Sequence, residues 1–280
     1  MAAGRGGTME EPRLKPHCSR RILILAPHPD DEIVACGIAA RRARAGGAEV
    51  FVLFLTSGVP PRETLWPWQR GKYNRRAERR REEASAATML LGVQPVGFLD
   101  IPSRRLIPHL HAAAAAVDRA LRETRAGELW VTAFEGAHQD HDAANALAAG
   151  FHGRLPVWEF AAYNFADRKV RSNRFFDARG GVVELRLSRE EAMLKRRALA
   201  VYASERGNVR HIRVEQEAWR PLPDYDYALP PHPGTLFRER FHWVPLRHPR
   251  IDFASSAEIY AALAAWNATA RLDMATAADG

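Results

Sequence analysis

Two apolar runs in this chain end abruptly in dense clusters of ionisable residues, and that pairing restricts the folds open to it. Residues 21–27 read Arg-Ile-Leu-Ile-Leu-Ala-Pro and run straight into His28, Pro29, Asp30, Asp31 and Glu32. Residues 129–134 read Leu-Trp-Val-Thr-Ala-Phe and precede His138, Gln139, Asp140 and His141. Unbroken apolar runs of this length fit strands covered on both faces, as in a parallel sheet. Carboxylates and imidazoles crowded at the end of such a strand resist dehydration and repel one another, so a positive charge must sit among them. A divalent metal ion supplies it. Two strand-then-ligand segments far apart in sequence predict one site assembled by the fold.

The rest of the pattern predicts where those runs lie. Strands are expected over 22–25, 50–55, 96–100, 129–134 and 156–161. Helices are expected over 33–45, 74–91, 110–124 and 142–151, with Gly46, Gly47 and Gly92 as stops. This βαβα alternation predicts a Rossmann-like α/β fold, a three-layer sandwich around a mostly parallel sheet. The stretch 59–73 holds three prolines and two tryptophans without periodicity and reads as a loop. Further on, 182–187 alternates like a half-wet strand. Ser188 with Glu191 forms a capping box for a helix to Val201, and Ser256 is the expected cap of a last helix over 257–270. The expected organisation is a disordered tail over 1–20, a catalytic core over 21–205, and a C-terminal elaboration over 206–280 packed on that core.

Composition narrows the function classes. The chain has 280 residues, 46% of them hydrophobic, which suits one α/β domain with additions. No apolar run approaches the ~18 residues that span a bilayer. The polar N-terminal segment lacks the apolar stretch of a secretory signal, so a cytoplasmic location is expected. Cys18 and Cys36 stand alone, without CxxC spacing, and make no disulfide framework. The net charge is +8. Much of it is arginine interleaved with alanine, as in 39–44, rather than with aromatics, so ordinary solvated helices are expected and a nucleic-acid partner is not. Arg79 and Glu83 are spaced to pair on such a helix.

In a parallel sheet, ligand sites collect beyond the carboxyl ends of the strands. Both clusters then face one edge, and one helical turn between His138 and His141 puts both imidazoles on one face. Two histidines and one carboxylate, with a position left for water, form a common catalytic zinc set. Choosing His28, Asp31 and His141 as ligands leaves Asp30, His138 and Asp140 beside the metal. Asp30 can then take a proton from water, His138 as imidazolium can steady an oxyanion, and Asp140 can hold that imidazole.

Two rivals use the same residues. His28, Asp30 and His141 would fit the two-histidine, one-carboxylate triad of a non-haem iron oxygenase. A non-catalytic sugar- or nucleotide-binding protein would have the pocket without turnover. A purely structural reading makes Asp30 or Asp31 the cap of the first helix. His232, His242 and His248 are irregularly spaced among prolines and read as structural or surface groups. Trp66 and Trp68 are candidates to cover a sugar-binding cleft or to pack the loop on the core.

The segments at 26–32 and 138–141 together resemble the PIG-L/LmbE family of zinc-dependent N-acetylglucosaminyl de-N-acetylases. Thr56, Ser57 and Gly58, Arg80 with Glu83, and the stretch 195–205 resemble further family segments, so the resemblance extends over 21–205. Pro102, Ser103 and Arg104 stand where the family often has Pro-Asp-Gly, Gln139 where it often has proline, and Tyr202 and Glu205 where His and Gln are usual. The resemblance implies that His28, Asp31 and His141 bind Zn2+, that Asp30 is the general base, and that His138 stabilises the transition state. It implies that Arg80 contacts the substrate, an N-acyl amino sugar or its conjugate. The Pro- and aromatic-rich segment 221–249 is expected either to close the pocket or to join copies of the chain in a homo-oligomer.

Overall fold

The structure is a computed structural model and describes residues 19–241 and 254–278, with the side chains of residues 240, 241 and 271–278 excepted. The tail expected over 1–20 lies almost wholly outside the described residues, as do Cys18, His242 and His248. Nine strands are described: β1 (Arg21–Ala26), β2 (Glu49–Phe54), β3 (Gln94–Phe98), β4 (Glu128–Thr132), β5 (Val157–Phe160), β6 (Tyr163–Asn164), β7 (Arg171–Ser172), β8 (Val183–Arg186) and β9 (Gln216–Pro221). The helices are α1 (Asp31–Ala45), α2 (Pro67–Arg70), α3 (Tyr73–Leu91), α4 (Leu110–Thr124), α5 (Gln139–Ala149), α6 (Arg189–Val201), α7 (Arg206–Val209) and α8 (Ser256–Ala278).

Seven strands form one sheet in the order β3-β2-β1-β4-β5-β9-β8. The first five pair in parallel, whereas β9 runs antiparallel to both β5 and β8. Strand β9 belongs to the stretch expected as a C-terminal elaboration, and it lies inside the central sheet. Strand order reverses between β1 and β4, which are neighbours with Leu25 opposite Val131. That reversal opens a crevice at the carboxyl edge of the sheet, and both ionisable clusters follow these two strands.

Alternate side chains of each strand serve two cores. Leu23, Leu25, Leu53 and Val131 pack beneath α4, α5 and α8, through residues such as Val117, Leu147 and Leu263. Ile22, Ile24, Val52 and Trp130 pack beneath α1, α3 and α6, through Ile38, Ala87 and Leu199. This explains the unbroken apolar runs of β1, β2 and β4, both faces of which are covered. Truncating one such residue to alanine costs about 2–5 kcal/mol.

Helix ends follow local chemistry. Gly92 takes the left-handed conformation that ends α3, and Ser188 with Glu191 completes a reciprocal capping box on α6. Ser255, rather than Ser256, caps α8: its hydroxyl accepts the Glu258 amide at 3.2 Å, and Glu258 returns a bond to the Ser255 amide at 2.8 Å. Helix α1 breaks at Cys36, whose φ of −143° is not helical. The break is satisfied by remote groups. Glu217 on β9 accepts the amides of Ile38 and Ala39 at 2.9 and 2.8 Å, and Lys195 on α6 donates to the Val34 carbonyl at 2.9 Å and to Glu217 at 2.7 Å. Asn173 donates to the same carbonyl at 2.6 Å. Among the described residues no helix is long and apolar enough to cross a membrane.

Candidate metal centre

The first cluster occupies the turn from β1 into α1. Asp30 stands at the N-cap of α1, yet its side chain makes no capping bond, so capping does not account for its carboxyl. Its φ is +127°, a conformation that L-residues avoid and that persists only where surroundings enforce it. Asp31 opens the helix, and its Oδ2 accepts the His28 backbone amide at 2.9 Å. The second cluster is the turn from β4 into α5. Here His138 caps the helix through its own ring, whose Nδ1 accepts the Asp140 amide at 3.1 Å. Helix α5 therefore starts at Gln139, three residues earlier than the pattern predicts, and His141 sits in its first turn.

The fold brings His28, Asp31 and His141 together, with one potential ligand atom from each inside a 4.8 Å span. Asp31 Oδ2 lies 3.1 Å from His28 Nδ1 and 3.1 Å from His141 Nε2. The latter contact lacks hydrogen-bond alignment, and both ring nitrogens of fully buried His141 have no hydrogen-bond partner among the described residues. Buried nitrogens without partners are costly, and a shared cation removes that cost. Two imidazoles and a carboxylate are also the donor chemistry such an ion takes. This is a His/Asp metal-binding triad.

His28, His138 and Asp140 form a second close group, but Asp140 is already committed. Its Oδ2 accepts the Arg104 amide at 2.5 Å and faces His28 Nε2 at 3.0 Å, while Oδ1 accepts the Leu106 amide at 3.2 Å. A metal-binding histidine commonly presents its far nitrogen to a carboxylate in this way, which fixes ring and tautomer. Asp140 was expected to hold His138; its Oδ2 is 3.7 Å from that ring and holds His28 instead. Asp30 does not join either group, so the iron-oxygenase set of His28, Asp30 and His141 is not assembled among the described residues.

Charge follows this geometry. Burial works against ionised Asp31, but His141 and His28 outweigh it and hold the carboxyl well below its usual range. Burial opposes the charge on Asp140 too, and His28 and His138 bring it down to about 2. Burial also disfavours a charged His28, yet Asp140 and Asp31 raise it to about 10, a sign of how strongly the two carboxylates demand a cation between them. His138 moves the other way: burial and then the neighbouring His28 push it well below its ordinary value. With Nδ1 accepting a backbone amide, His138 is a neutral ring whose Nε2 carries the proton, not the expected imidazolium.

Burial raises the Asp30 carboxyl to about 7, against the pull of Arg80. Arg80, on α3, is only 3% exposed. It donates to the Pro29 carbonyl and lies 3.4 Å from Asp30 Oδ2 and 3.3 Å from Glu205 Oε1. The expected substrate contact is thus a buried cation beside Asp30. Gly58 makes room for it: its φ is +68°, and a Cβ there would come within 2.8 Å of Arg80 Nη2. Arg79 pairs outward with Glu83 at 2.9 Å, as its spacing predicts.

Several neighbours escaped the sequence reading. Ser103 Oγ lies 3.3 Å from His28 Nε2, Tyr163 meets the His141 ring edge-on at 5.2 Å, and Glu32 bonds to Tyr202. Ser103 and Tyr202 stand out in the sequence only as departures from the family pattern, with no role attached, and Tyr163 carries no signal. Gln139 ties the two loops together by donating to the Arg104 carbonyl at 2.8 Å. Trp66 and Trp68 stack on each other at 5.3 Å, with Trp68 70% exposed. His232 is buried and bonds to the Glu135 carbonyl at 3.1 Å, a structural contact.

Residues 23–151 match the PIG-L family, described as GlcNAc-PI de-N-acetylase. No curated protein matches the chain. Solved structures share its fold. An A40926 pseudoaglycone deacetylase is 20% identical with a TM-score of 0.54, covering 72% of this chain and 96% of its own. A triple mutant of a deacetylase from the teicoplanin biosynthetic pathway is 20% identical with a TM-score of 0.59, covering 72% and 97%. The N,N'-diacetylchitobiose deacetylase of Pyrococcus horikoshii is 17% identical with a TM-score of 0.53, covering 76% and 88%. Residues 23–151, the stretch that matches the PIG-L family model, contain the whole metal-binding triad, and the fold is the one these deacetylase structures share.

Proposed function

We propose that this chain is a metal-dependent hydrolase that removes an N-acetyl group from an amino sugar or its conjugate, with zinc as its metal. The observation that carries the proposal is a buried ligand triad flanked by a carboxyl, Asp30, that neither caps a helix nor joins the triad. The family match supports the substrate class, and the fold neighbours named above are deacetylases.

Held by His28, Asp31 and His141, a zinc ion would polarise the amide carbonyl and lower the pKa of the attacking water to about 7. Asp30 Oδ atoms take the proton from that water; a carboxyl near neutrality is matched to the task. His138 Nε2–H donates to the carbonyl oxygen as negative charge develops, while its Nδ1 stays on the Asp140 amide and fixes the ring. Asp140 holds His28 in orientation. The proton on Asp30 then passes to the leaving amine, so that acetate and a free amino sugar result.

Acetate release from N-acetylglucosamine, N,N'-diacetylchitobiose and lipid-linked N-acetylglucosamine, with zinc added, tests the proposal. Release that stops with a chelator and in Asp30→Asn supports it. A panel on which the unsubstituted chain releases nothing, while still binding the sugars, favours a binding protein instead.

A further inference from the structure

Resting on that functional reading, we propose that Glu32 is a positioning residue for the base: locked by Tyr202, it pins the backbone of Asp30 in the strained conformation that aims its carboxyl at the reaction centre. Glu32 is 2% exposed and Tyr202 fully buried. Glu32 Oε2 accepts the Asp30 amide at 3.0 Å, and Oε1 accepts the Tyr202 hydroxyl. Both carboxylate oxygens are thereby used, which separates Glu32 from the triad although it is next to Asp31 in sequence.

The need for such a pin follows from Asp30 itself. A non-glycine residue at φ +127° relaxes unless its neighbours over-determine it. Three contacts do so. The Asp30 carbonyl accepts the amides of Ile33 and Val34 at 3.0 and 2.9 Å, which fixes the following peptide into α1. Arg80 grips the preceding carbonyl, that of Pro29. Glu32 grips the N–H of that same peptide, the Asp30 amide. Arg80 and Glu32 thus hold the Pro29–Asp30 peptide plane from its two sides, while helix bonding holds the peptide that follows. Tyr202 comes from the end of α6, and the Arg80 guanidinium lies 5.7 Å over its ring. One side chain therefore backs both grips, and the direction of the base depends on a residue remote in sequence.

The test uses the full chain with zinc and compares Glu32→Ala, Glu32→Gln and Tyr202→Phe. Zinc affinity is read by chelator competition, exchange of the Asp30 amide by NMR, and kcat and KM by acetate release from N,N'-diacetylchitobiose. In Glu32→Ala the Asp30 amide exchanges about tenfold faster or more, and kcat falls about tenfold or more through misplacement of the base. KM and zinc affinity stay within about threefold, because neither substrate nor metal contact is lost. Glu32→Gln keeps an acceptor for the amide and restores protection and most of kcat; Tyr202→Phe lies between the two. Zinc affinity lowered about tenfold in Glu32→Gln would make Glu32 a ligand and overturn the proposal, as would unchanged amide exchange in Glu32→Ala. If that variant fails to fold, the exchange rate in Tyr202→Phe decides. If the unsubstituted chain releases no acetate, the functional reading fails while the exchange measurement still judges the pin.

Discussion

Asp140 Oδ2 lies 3.0 Å from His28 Nε2, and that contact decides which imidazole nitrogen is free to bind a cation. With Nε2–H donated to the carboxylate, Nδ1, which faces Asp31, is the nitrogen that would give up its proton to a cation. In Asp140→Asn one amide oxygen replaces two carboxylate oxygens, so either the Leu106 amide, or the Arg104 amide together with Nε2, meets an NH2 where it now meets an acceptor, and the charge that orients His28 is lost. Zinc affinity is expected to fall about 10–100-fold. Chelator competition checks this, with a melting curve to show that the fold survives.

The pH dependence of catalysis reads the Asp30 carboxyl. A base works only when deprotonated, so kcat/KM should fall about tenfold per pH unit below the Asp30 pKa. Burial puts that pKa at about 7; a bound cation adds to Arg80 in pulling it down, so the acid limb lies at or below about 7. Arg80→Met removes the pull and moves the limb to higher pH. A limb that stays in place would show that Arg80 does not act through Asp30.

Stability of the metal-free chain carries the opposite sign. The folded Asp30 pKa lies above the unfolded value of 3.8. Its contribution is therefore fully present below pH 3.8 and is lost as pH rises through about 7. Asp30→Asn removes that loss. The variant should melt a few degrees higher than the unsubstituted chain at pH 8, and the gap should close near pH 4. Calorimetry at several pH values checks it, and equal melting temperatures throughout would refute it.

Lys195 and Glu217 form an ion pair with no solvent exposure on either side. Removing one partner leaves a bare buried charge, so Lys195→Met should cost about 3–5 kcal/mol. The double change with Glu217→Leu recovers only part, because the amides of Ile38 and Ala39 lose their acceptor. Denaturant unfolding of the three variants measures both steps.

What the sequence made legible was whatever is local and repeated. Helix α4 falls on its expected bounds because its apolar spacing is regular, and α6 because a capping box announces it. The triad was readable because two apolar strands each end in ligand-type residues. Helix α5 was read to start late because histidine is not a usual cap, and the neutral state of His138 follows from that same capping bond. The place of β9 between β5 and β8, and the reach of Tyr202 to Glu32, are contacts between distant segments. No local pattern encodes them, since only the tertiary arrangement decides which buried donor meets which acceptor.

The break in α1 has one more implication. The turn bearing Asp31 and Glu32 belongs to the same helix whose bared amides are sealed from α6 and β9. A polypeptide ended after Ala149 would keep every ligand yet expose those amides and the Val34 carbonyl, and its ligand turn would lose its anchor. The residues that match the family model lie largely in the first half of this molecule, but contacts from the second half hold their ligand turn in place.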